Sequence, residues 1–320
     1  MPPRTDLTTF HTHLLSSRRI MALCGAGLSA ASGLPTFRGA GGTWRNYEAT
    51  TLATPEAFEA DPGLVWQFYS MRRHMALTAK PNVAHFALAE LARRKGGDGG
   101  FRTLTQNVDG LSARANHPPE TIDYLHGHLF DVKCSSQSCD YKVQDFRDPI
   151  IPEFAVPLAK RSLAQRAPGP EPDAPEGEDE QLVYDESAPL EPIPKERIPK
   201  CPKCNNLLRP GVVWFGEILD EDMLVSIDRW IDSGVDLCIV IGTSGNVIPA
   251  AGYAHQIRQS GGKVAIVDLD VNAGGWQGGK KAFDWVFEGD ASKIVPELLR
   301  PLVGEITIPD DDDDAAAAVA

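Results

Sequence analysis

Six short apolar runs, each followed by glycine or polar residues, constrain the fold of this chain more than any other feature. Longer helical patterns lie between most of them, which is typical of a parallel sheet covered by helices on both faces. The runs span residues 20–24, 102–105, 122–125, 237–241, 264–269 and 285–287. The helical patterns span residues 55–75, 83–94, 222–233, 250–260 and 292–302. The sequence therefore predicts an α/β, Rossmann-like doubly wound parallel sheet.

The residues that follow these runs predict where a ligand binds. In open α/β sheets, ligands bind at the carboxyl ends of the strands. Gly25-Ala26-Gly27 follows the first run, and its glycines would let backbone N–H groups approach a pyrophosphate. A tight turn without a ligand is the alternative. Pro35 and the glycines at 39, 41 and 42 forbid a regular helix afterwards, so we expect a loop over the cofactor with Phe37 and Arg38 facing inwards.

Four of the six cysteines lie in residues 131–210, which interrupt the α/β pattern. Cys134-x4-Cys139 and Cys201-x2-Cys204 are spaced as in tetrahedral zinc sites, and four thiolates would close the coordination shell of a structural ion. Four unconnected buried thiols are the alternative. The domains predicted are a discontinuous Rossmann-like domain, 18–130 and 211–305, a small inserted zinc-binding domain, 131–210, with an acidic Pro-rich mobile loop at about 167–200, and a disordered tail, 306–320.

Composition excludes several classes of protein. The net charge is −13, and thirteen acids lie in residues 171–187 and 310–314, so the rest of the chain is nearly neutral. No basic footprint for nucleic acid is left, and no apolar run approaches the ~20 residues of a membrane span. Few cysteines and no signal-peptide core predict a soluble intracellular protein. The cytoplasm or nucleus is favoured over the mitochondrial matrix, because an early first strand leaves little transit peptide; we expect a monomer.

The motifs together resemble those of the sirtuins, NAD-dependent protein-lysine deacylases. The resemblance runs in family order from about residue 18 to 302. It rests on Gly25–Ser29, Gly33–Gly39, Thr105–Leu111, His126-Gly127, the paired cysteines, Val212–Glu217 and Gly242–Ser244. It implies a Rossmann-like domain for NAD, a small domain with one structural zinc, and an acyl-lysine tunnel between them.

The resemblance also assigns roles to residues. NAD is consumed, the acyl oxygen attacking the ribose carbon as nicotinamide leaves. Catalysis is implied for His126, Asn107 and Asp109, with His126 as the general base. The implied cofactor-binding residues are Gly25, Ala26, Gly27, Ser29, Ala30, Phe37, Arg38, Trp44, Gln106, Asn107, Val108, Asp109, Gly242, Thr243, Ser244, Asp268 and Ala291. Asp268 stands where the family usually has Asn, and it would repel the 2′-phosphate of NADP. The segment Val213, Trp214, Phe215, Gly216 and Glu217 resembles the one on which the substrate backbone pairs as an added strand.

Tyr69 and Arg72 predict the substrate class. They are three residues apart in a predicted helix and therefore share one face. In class III sirtuins, the branch that prefers succinyl-, malonyl- and glutaryl-lysine, Tyr-x-x-Arg in this helix binds the distal acyl carboxylate. A guanidinium can grip a carboxylate with two hydrogen bonds, and a phenol can add a third. The alternative is a core tyrosine beside a solvated arginine.

Three other functions remain open from the residues. The first is a sirtuin that acts mainly as a deacetylase. The second is a nicotinamide- or flavin-dependent oxidoreductase, against which the segment 35–44 argues. The third is a zinc-ribbon protein-binding adaptor, which would leave Gln106, Asn107, Asp109 and His126 unexplained.

Overall fold

A computed structural model describes residues 3–36, 42–162 and 180–309. Its helices are α1 (Leu7–Ser16), α2 (Gly27–Ala30), α3 (Ala49–Leu52), α4 (Pro55–Ala60), α5 (Pro62–Thr78), α6 (Val83–Lys95), α7 (Leu111–Arg114), α8 (Glu221–Asp232), α9 (Ala250–Gln259) and α10 (Ala291–Val303). Its strands are β1 (Ile20–Cys24), β2 (Thr43–Trp44), β3 (Tyr47–Glu48), β4 (Phe101–Thr105), β5 (Ile122–Tyr124), β6 (Gly127–Cys134), β7 (Lys142–Gln144), β8 (Leu158–Ser162), β9 (Glu180–Tyr184), β10 (Leu208–Val212), β11 (Leu237–Ile241), β12 (Lys263–Asp268) and β13 (Trp285–Glu288).

A six-stranded parallel sheet in the order β13-β12-β11-β1-β4-β5 forms the centre of the larger domain. Helices α1, α6 and α10 pack on one face, where Phe10, Leu88 and Leu298 are buried. Helices α8 and α9 cover the other face with Ile231 and Ile257. Burial on both faces explains why β1 and β11 are continuous apolar runs. The predicted Rossmann-like sheet is confirmed.

A second core joins helices α3–α5 to an antiparallel sheet in the order β10-β6-β7. Trp66 of α5 stacks on Phe154 with ring centroids 5.1 Å apart, and its indole N–H donates to the backbone oxygen of Leu208 at 2.9 Å. These helices lie within the range 18–130 that the sequence assigned to the Rossmann-like domain. Their apolar side chains pack instead with Val132 and Leu208 of the segment that bears the cysteines.

Two helices differ from the sequence expectations. The predicted single helix over 55–75 is two helices, because Asp61 ends α4, Pro62 begins α5, and the Asp61 side chain accepts from the backbone N–H of Leu64 at 2.9 Å. Helix α1 precedes residue 18, the predicted start of the domain, and buries Phe10 and Leu14 against the sheet layer.

The sequence predicts a mobile loop over 167–200. From Glu180 onwards, however, this part of the insert is ordered. Strand β9 pairs antiparallel with β8, from Leu158 opposite Tyr184 to Ser162 opposite Glu180. Beyond it, the backbone oxygen of Glu191 accepts from the Gln67 side chain of α5 at 3.0 Å. The chain therefore returns across α5 and the β2–β3 hairpin before it reaches Cys201.

Within the described residues, no helix has the length and apolar character needed to cross a bilayer.

Candidate active site

The loops that follow β1 and β11 meet in direct backbone contact at the carboxyl edge of the sheet. The N–H of Gly27 donates to the oxygen of Gly242 at 2.9 Å. A Cβ atom on Gly27 would lie 2.6 Å from the Cα of Gly242, and one on Gly25 would lie 2.6 Å from the Cβ of Thr243. Only glycine fits at these positions. The predicted cofactor residues of both loops, including Ala26 and Ala30 around α2, are thus brought together.

A hydrogen-bonded cluster fixes the polar residues after β4 against α2. The Ser29 hydroxyl donates to Asp109 Oδ2 at 2.7 Å, and the backbone N–H of Leu111 donates to Asp109 Oδ1 at 2.9 Å. The Asn107 amide donates to the backbone oxygen of Gly25 at 3.0 Å and approaches Ser29 Oγ at 3.2 Å. Burial raises the pKa of Asp109, although the hydrogen bonds that it accepts from Leu111 and Ser29 act to lower it. The Val108 backbone oxygen accepts from Leu129 at 2.9 Å and ties the loop to β6.

His85 belongs to the same cluster and was missed from the sequence. Its Nδ1 accepts from the backbone N–H of Asn82 at 3.2 Å, so the neutral ring carries its hydrogen on Nε2, which lies 3.5 Å from Ser29 Oγ. Burial lowers the pKa of His85 to about 3 and keeps it neutral. Asn82 caps the start of α6, and a polar side chain follows three residues later. This pattern was the available sequence signal for the position of His85.

His126 lies between β5 and β6, next to the polar loop after β4. Its Nδ1 is 3.1 Å from the backbone oxygen of Gln106, and the Gln106 side chain in turn accepts from Thr243 Oγ1 at 2.6 Å. A backbone oxygen only accepts, so Nδ1 carries the hydrogen and Nε2 of the neutral ring keeps its lone pair. Burial lowers the pKa of His126. A proton acceptor is therefore held beside Gln106, whose side chain also contacts Thr243.

The remaining predicted cofactor residues on β11, β12 and α10 lie along the same sheet edge. The backbone oxygens of Thr243 and Ser244 accept from Trp276 Nε1 at 3.3 Å and Gly275 N at 2.8 Å. Asp268 ends β12 and its carboxylate accepts from the N–H of Asp270 at 3.1 Å, while Ala291 is buried at the start of α10. Trp276 was not identified from the sequence.

Two predicted loop contacts have different outcomes. Phe37 and Arg38 lie outside the described residues. Trp44 is buried in the second core, where its indole N–H donates to Tyr184 Oη at 2.9 Å and its ring lies 5.5 Å from that of Phe68. The Trp44 side chain therefore contacts the insert and α5. The cofactor-binding role predicted for Trp44 did not include these contacts.

Tyr69 and Arg72 lie one turn apart on α5, Tyr69 within the second core and Arg72 near enough to Asp109 for the two charges to interact. Tyr69 is 3 % exposed and accepts from the indole N–H of Trp214 at 3.0 Å. Burial raises the pKa of Tyr69 to about 12, so its hydroxyl stays protonated. The Arg72 guanidinium lies 5.6 Å from the Phe68 ring centroid; burial lowers its pKa, although Tyr69 and Asp109 oppose that. The next residue, Arg73, is a structural cation that donates to the backbone oxygens of Leu129 and Asp145.

The segment predicted to bind the substrate backbone is already partly paired. The N–H groups of Val213 and Phe215 donate to the oxygens of His126 at 2.8 Å and Ala53 at 2.9 Å. Gly216 takes a left-handed φ of +88°, and the Glu217 carboxylate turns back to Arg209. Phe215 is exposed, whereas the Trp214 side chain is buried. Substrate pairing here stays a prediction and would use other backbone groups of the segment.

The four predicted zinc ligands converge on one point. All four sulfur atoms lie within 4.8 Å of one another, with Cys134 to Cys204 at 3.4 Å and Cys139 to Cys201 at 3.7 Å. Zinc–sulfur bonds of ~2.3 Å in a tetrahedron place sulfur atoms about 3.8 Å apart. A left-handed Asn205 closes the turn after Cys204. The cluster fits one structural zinc ion, which would tie β6 to the chain leading into β10.

A parallel sheet with a polar edge, joined to a second domain with four converging cysteines, fits a nucleotide-binding protein with a structural metal site. Residues 25–249 match the model of the Sir2 family. The chain is 45 % identical over 307 residues to an NAD-dependent protein deacylase of Candida albicans, covering 94 % of this chain and 99 % of the relative. It is 38 % identical to the mitochondrial NAD-dependent protein deacylase sirtuin-5 of Danio rerio, covering 93 % and 87 %.

Solved structures show the same similarity. The structure of a Sir2 homolog–NAD complex superposes with a TM-score of 0.70 at 34 % identity, covering 94 % of each chain. The chain belongs to the Sir2 family, the sirtuins. The predicted resemblance is confirmed, and so is the expectation of an enzyme that consumes NAD. The name of the Danio rerio relative includes "mitochondrial", so it lends no support to the expected preference for cytoplasm or nucleus.

Proposed function

We propose that this chain is an NAD-dependent deacylase that removes succinyl, malonyl or glutaryl groups from lysine side chains. The observation that carries the proposal is the pair Tyr69 and Arg72, one turn apart on α5, with Tyr69 buried and the pKa of Arg72 lowered by burial. A protonated phenol and a guanidinium can both donate hydrogen bonds to a carboxylate. An acetyl group has no carboxylate to accept them.

The residues at the sheet edge would take the roles that the resemblance to the sirtuins implies. Asn107 and Asp109 would hold the nicotinamide amide, their side chains already fixed by Ser29 and Leu111. NAD, when bound, supplies the ribose carbon that accepts the acyl oxygen as nicotinamide leaves. Nε2 of His126 would accept a proton from a ribose hydroxyl, because the Nδ1–H of His126 is directed to the backbone oxygen of Gln106. The products would be free lysine, nicotinamide and O-acyl-ADP-ribose.

Electrostatics support an acidic acyl group. Arginine keeps its charge even where burial lowers its pKa, so Arg72 would place a positive charge beside the acyl chain. A desolvated guanidinium–carboxylate pair discriminates against a ligand that lacks the anion. The similarity to the sirtuin-5 protein of Danio rerio, whose name states only a protein deacylase, agrees with this class of reaction.

Deacetylation is the second candidate. A related solved structure, 34 % identical, is a Sir2 homologue in complex with 2′-O-acetyl ADP ribose, the product expected from an acetyl substrate. The experiment is a panel of peptides of one sequence carrying acetyl-, succinyl-, malonyl- or glutaryl-lysine, incubated with and without NAD and followed by mass spectrometry. We expect NAD-dependent loss of acidic acyl groups, with nicotinamide released, at a higher kcat/KM than for acetyl. A higher kcat/KM for acetyl would overturn the proposal and leave the family assignment intact.

A further inference from the structure

Trp214 connects the turn after β10 to α5, the helix that bears Tyr69 and Arg72. Its side chain is 3 % exposed, and its indole N–H donates to the hydroxyl of Tyr69 at 3.0 Å. Phe58 of α4 lies against the same indole, with ring centroids 5.3 Å apart. Three separate segments of the chain therefore meet at the indole of Trp214.

An ion pair between a buried Arg209 and a half-buried Glu217 holds the indole in this position. Arg209 is 6 % exposed, and its guanidinium lies 3.3 Å from the centroid of the Trp214 ring, close enough for a cation–π contact. Arg209 Nη2 donates to Glu217 Oε2 at 2.9 Å, and the same oxygen accepts from the backbone N–H of Trp214 at 2.7 Å. Burial alone would raise the pKa of Glu217, but these hydrogen bonds outweigh it and lower the pKa. Both the backbone and the ring of Trp214 are thus fixed by one charged pair.

The chemistry of the two side chains sets the direction of the hydrogen bond. An indole N–H only donates, so Tyr69 must accept from Trp214. A phenol has one hydrogen and two lone pairs. Since one lone pair is taken by the indole, the hydroxyl hydrogen is turned away from Trp214 and is available to a different, accepting group. Arg72, one turn further along α5, only donates and cannot be that group.

We propose that Trp214 is a positioning residue for acyl selection: it orients the Tyr69 hydroxyl so that its hydrogen is donated to the distal carboxylate of the acyl-lysine, beside the guanidinium of Arg72. This inference rests on the proposed function and adds a residue that does not itself touch the acyl group. It predicts that the Trp214 indole N–H contributes to selectivity between acyl groups and not to the chemical step.

The test uses two substitutions that separate the N–H from the bulk of the ring. Trp214→Phe keeps an aromatic ring and removes the donor. Trp214→His keeps an N–H at the same position of a five-membered ring. Each full-length protein is assayed with succinyl- and acetyl-lysine peptides of one sequence at saturating NAD, and the ratio of the two kcat/KM values is recorded. Because both substrates are measured on one preparation, partial unfolding cancels from the ratio.

We expect Trp214→Phe to lower the succinyl-to-acetyl ratio roughly threefold to tenfold, as for a lost neutral hydrogen bond, through KM for the succinyl peptide. Trp214→His should retain more of the ratio than Trp214→Phe. In a Tyr69→Phe background, Trp214→Phe should cause no further loss. Equal losses on both substrates, or full additivity with Tyr69→Phe, would overturn the positioning role. If the unmodified enzyme prefers acetyl-lysine, the proposed function fails and this inference fails with it.

Discussion

The backbone oxygen of Gln106 lies 3.1 Å from Nδ1 of His126, and the Gln106 side chain accepts from Thr243. One residue after β4 thus sets the tautomer of the histidine and also contacts the loop after β11. His126→Ala should lower turnover by at least the ~10²-fold typical of a lost general base. Steady-state kinetics with nicotinamide release as the readout would check this, with His128→Ala as the neighbouring control. Near-normal turnover by the His126 variant would contradict the assigned role.

The acidic limb of the pH profile offers an independent check on His126. Burial lowers its pKa below the ordinary value of 6.5. The neutral, active ring therefore persists to lower pH than for an exposed histidine, and kcat/KM should fall only as the pH drops through this lowered pKa. A profile that already declines above pH 7 would argue against His126 as the titrating base.

Arg72→Met should cost roughly 2–5 kcal/mol of transition-state binding for succinyl-lysine, in line with truncating one member of a desolvated charge pair. Acetyl-lysine turnover should stay level or rise. Tyr69→Phe should lower succinyl activity less, since one hydrogen bond is lost. The exposed Arg300→Met on α10 serves as the control for loss of a cation elsewhere. Parallel loss of activity on both substrates by Arg72→Met would point to a folding effect instead of selectivity.

Replacing Cys201 or Cys204 by Ser should abolish stoichiometric zinc and expose the smaller domain to proteolysis, because binding of structural zinc is coupled to folding. Metal content by atomic emission and limited trypsin digestion would measure both. Cys238→Ala is the matched control, since Cys238 is buried in β11, away from the four converging sulfur atoms. A Cys204 variant that is folded, active and free of metal would show that the ion is dispensable.

His117 should make folding stability depend on pH. Burial lowers its pKa to about 4, so between pH 6.5 and 4 the unfolded chain binds a proton that the folded chain does not. Stability is therefore lost as the pH falls through this range. Between pH 7 and 5.5, wild type should lose about 1 kcal/mol more unfolding free energy than His117→Phe. Urea unfolding at both pH values tests this, and identical losses would show that His117 does not titrate differently on unfolding.

Tyr184 connects the insert to the β2–β3 hairpin, because its hydroxyl accepts from Trp44 Nε1 and Arg45 Nε, both at 2.9 Å. Tyr184→Phe should lower stability by about 1–3 kcal/mol, since two donors lose their acceptor. Tyr184 thus has a structural contact although it lies in the stretch 167–200 that the sequence predicts as a mobile loop. Thermal unfolding is the measurement. Removal of residues 310–320, which lie outside the described residues, should leave peptide deacylation within a few-fold and serves as the comparison.

Local pattern predicted the sheet well, because most of its strands are short apolar runs, such as β1 and β11, and glycine or polar residues follow them. The cysteine spacing predicted the zinc cluster for a similar reason, since ligand type and separation carry the geometry. The contact between Trp214 and Tyr69 could not be predicted, because it joins residues 145 positions apart and depends on packing in the second core. The same holds for Trp44, whose partner Tyr184 belongs to a segment that composition alone marked as a mobile loop.

The β8–β9 ladder has a practical consequence for engineering. It ends with Ser162 opposite Glu180, so the two ends of the intervening stretch are held about one strand spacing, ~5 Å, apart. The entropy of closing a loop rises only with the logarithm of its length, about 0.6 kcal/mol for each doubling. A reporter protein with adjacent termini could therefore be spliced in between these two residues at little thermodynamic cost. The reporter would then be attached to the small inserted domain, and the carboxyl edge of the central sheet would keep its geometry.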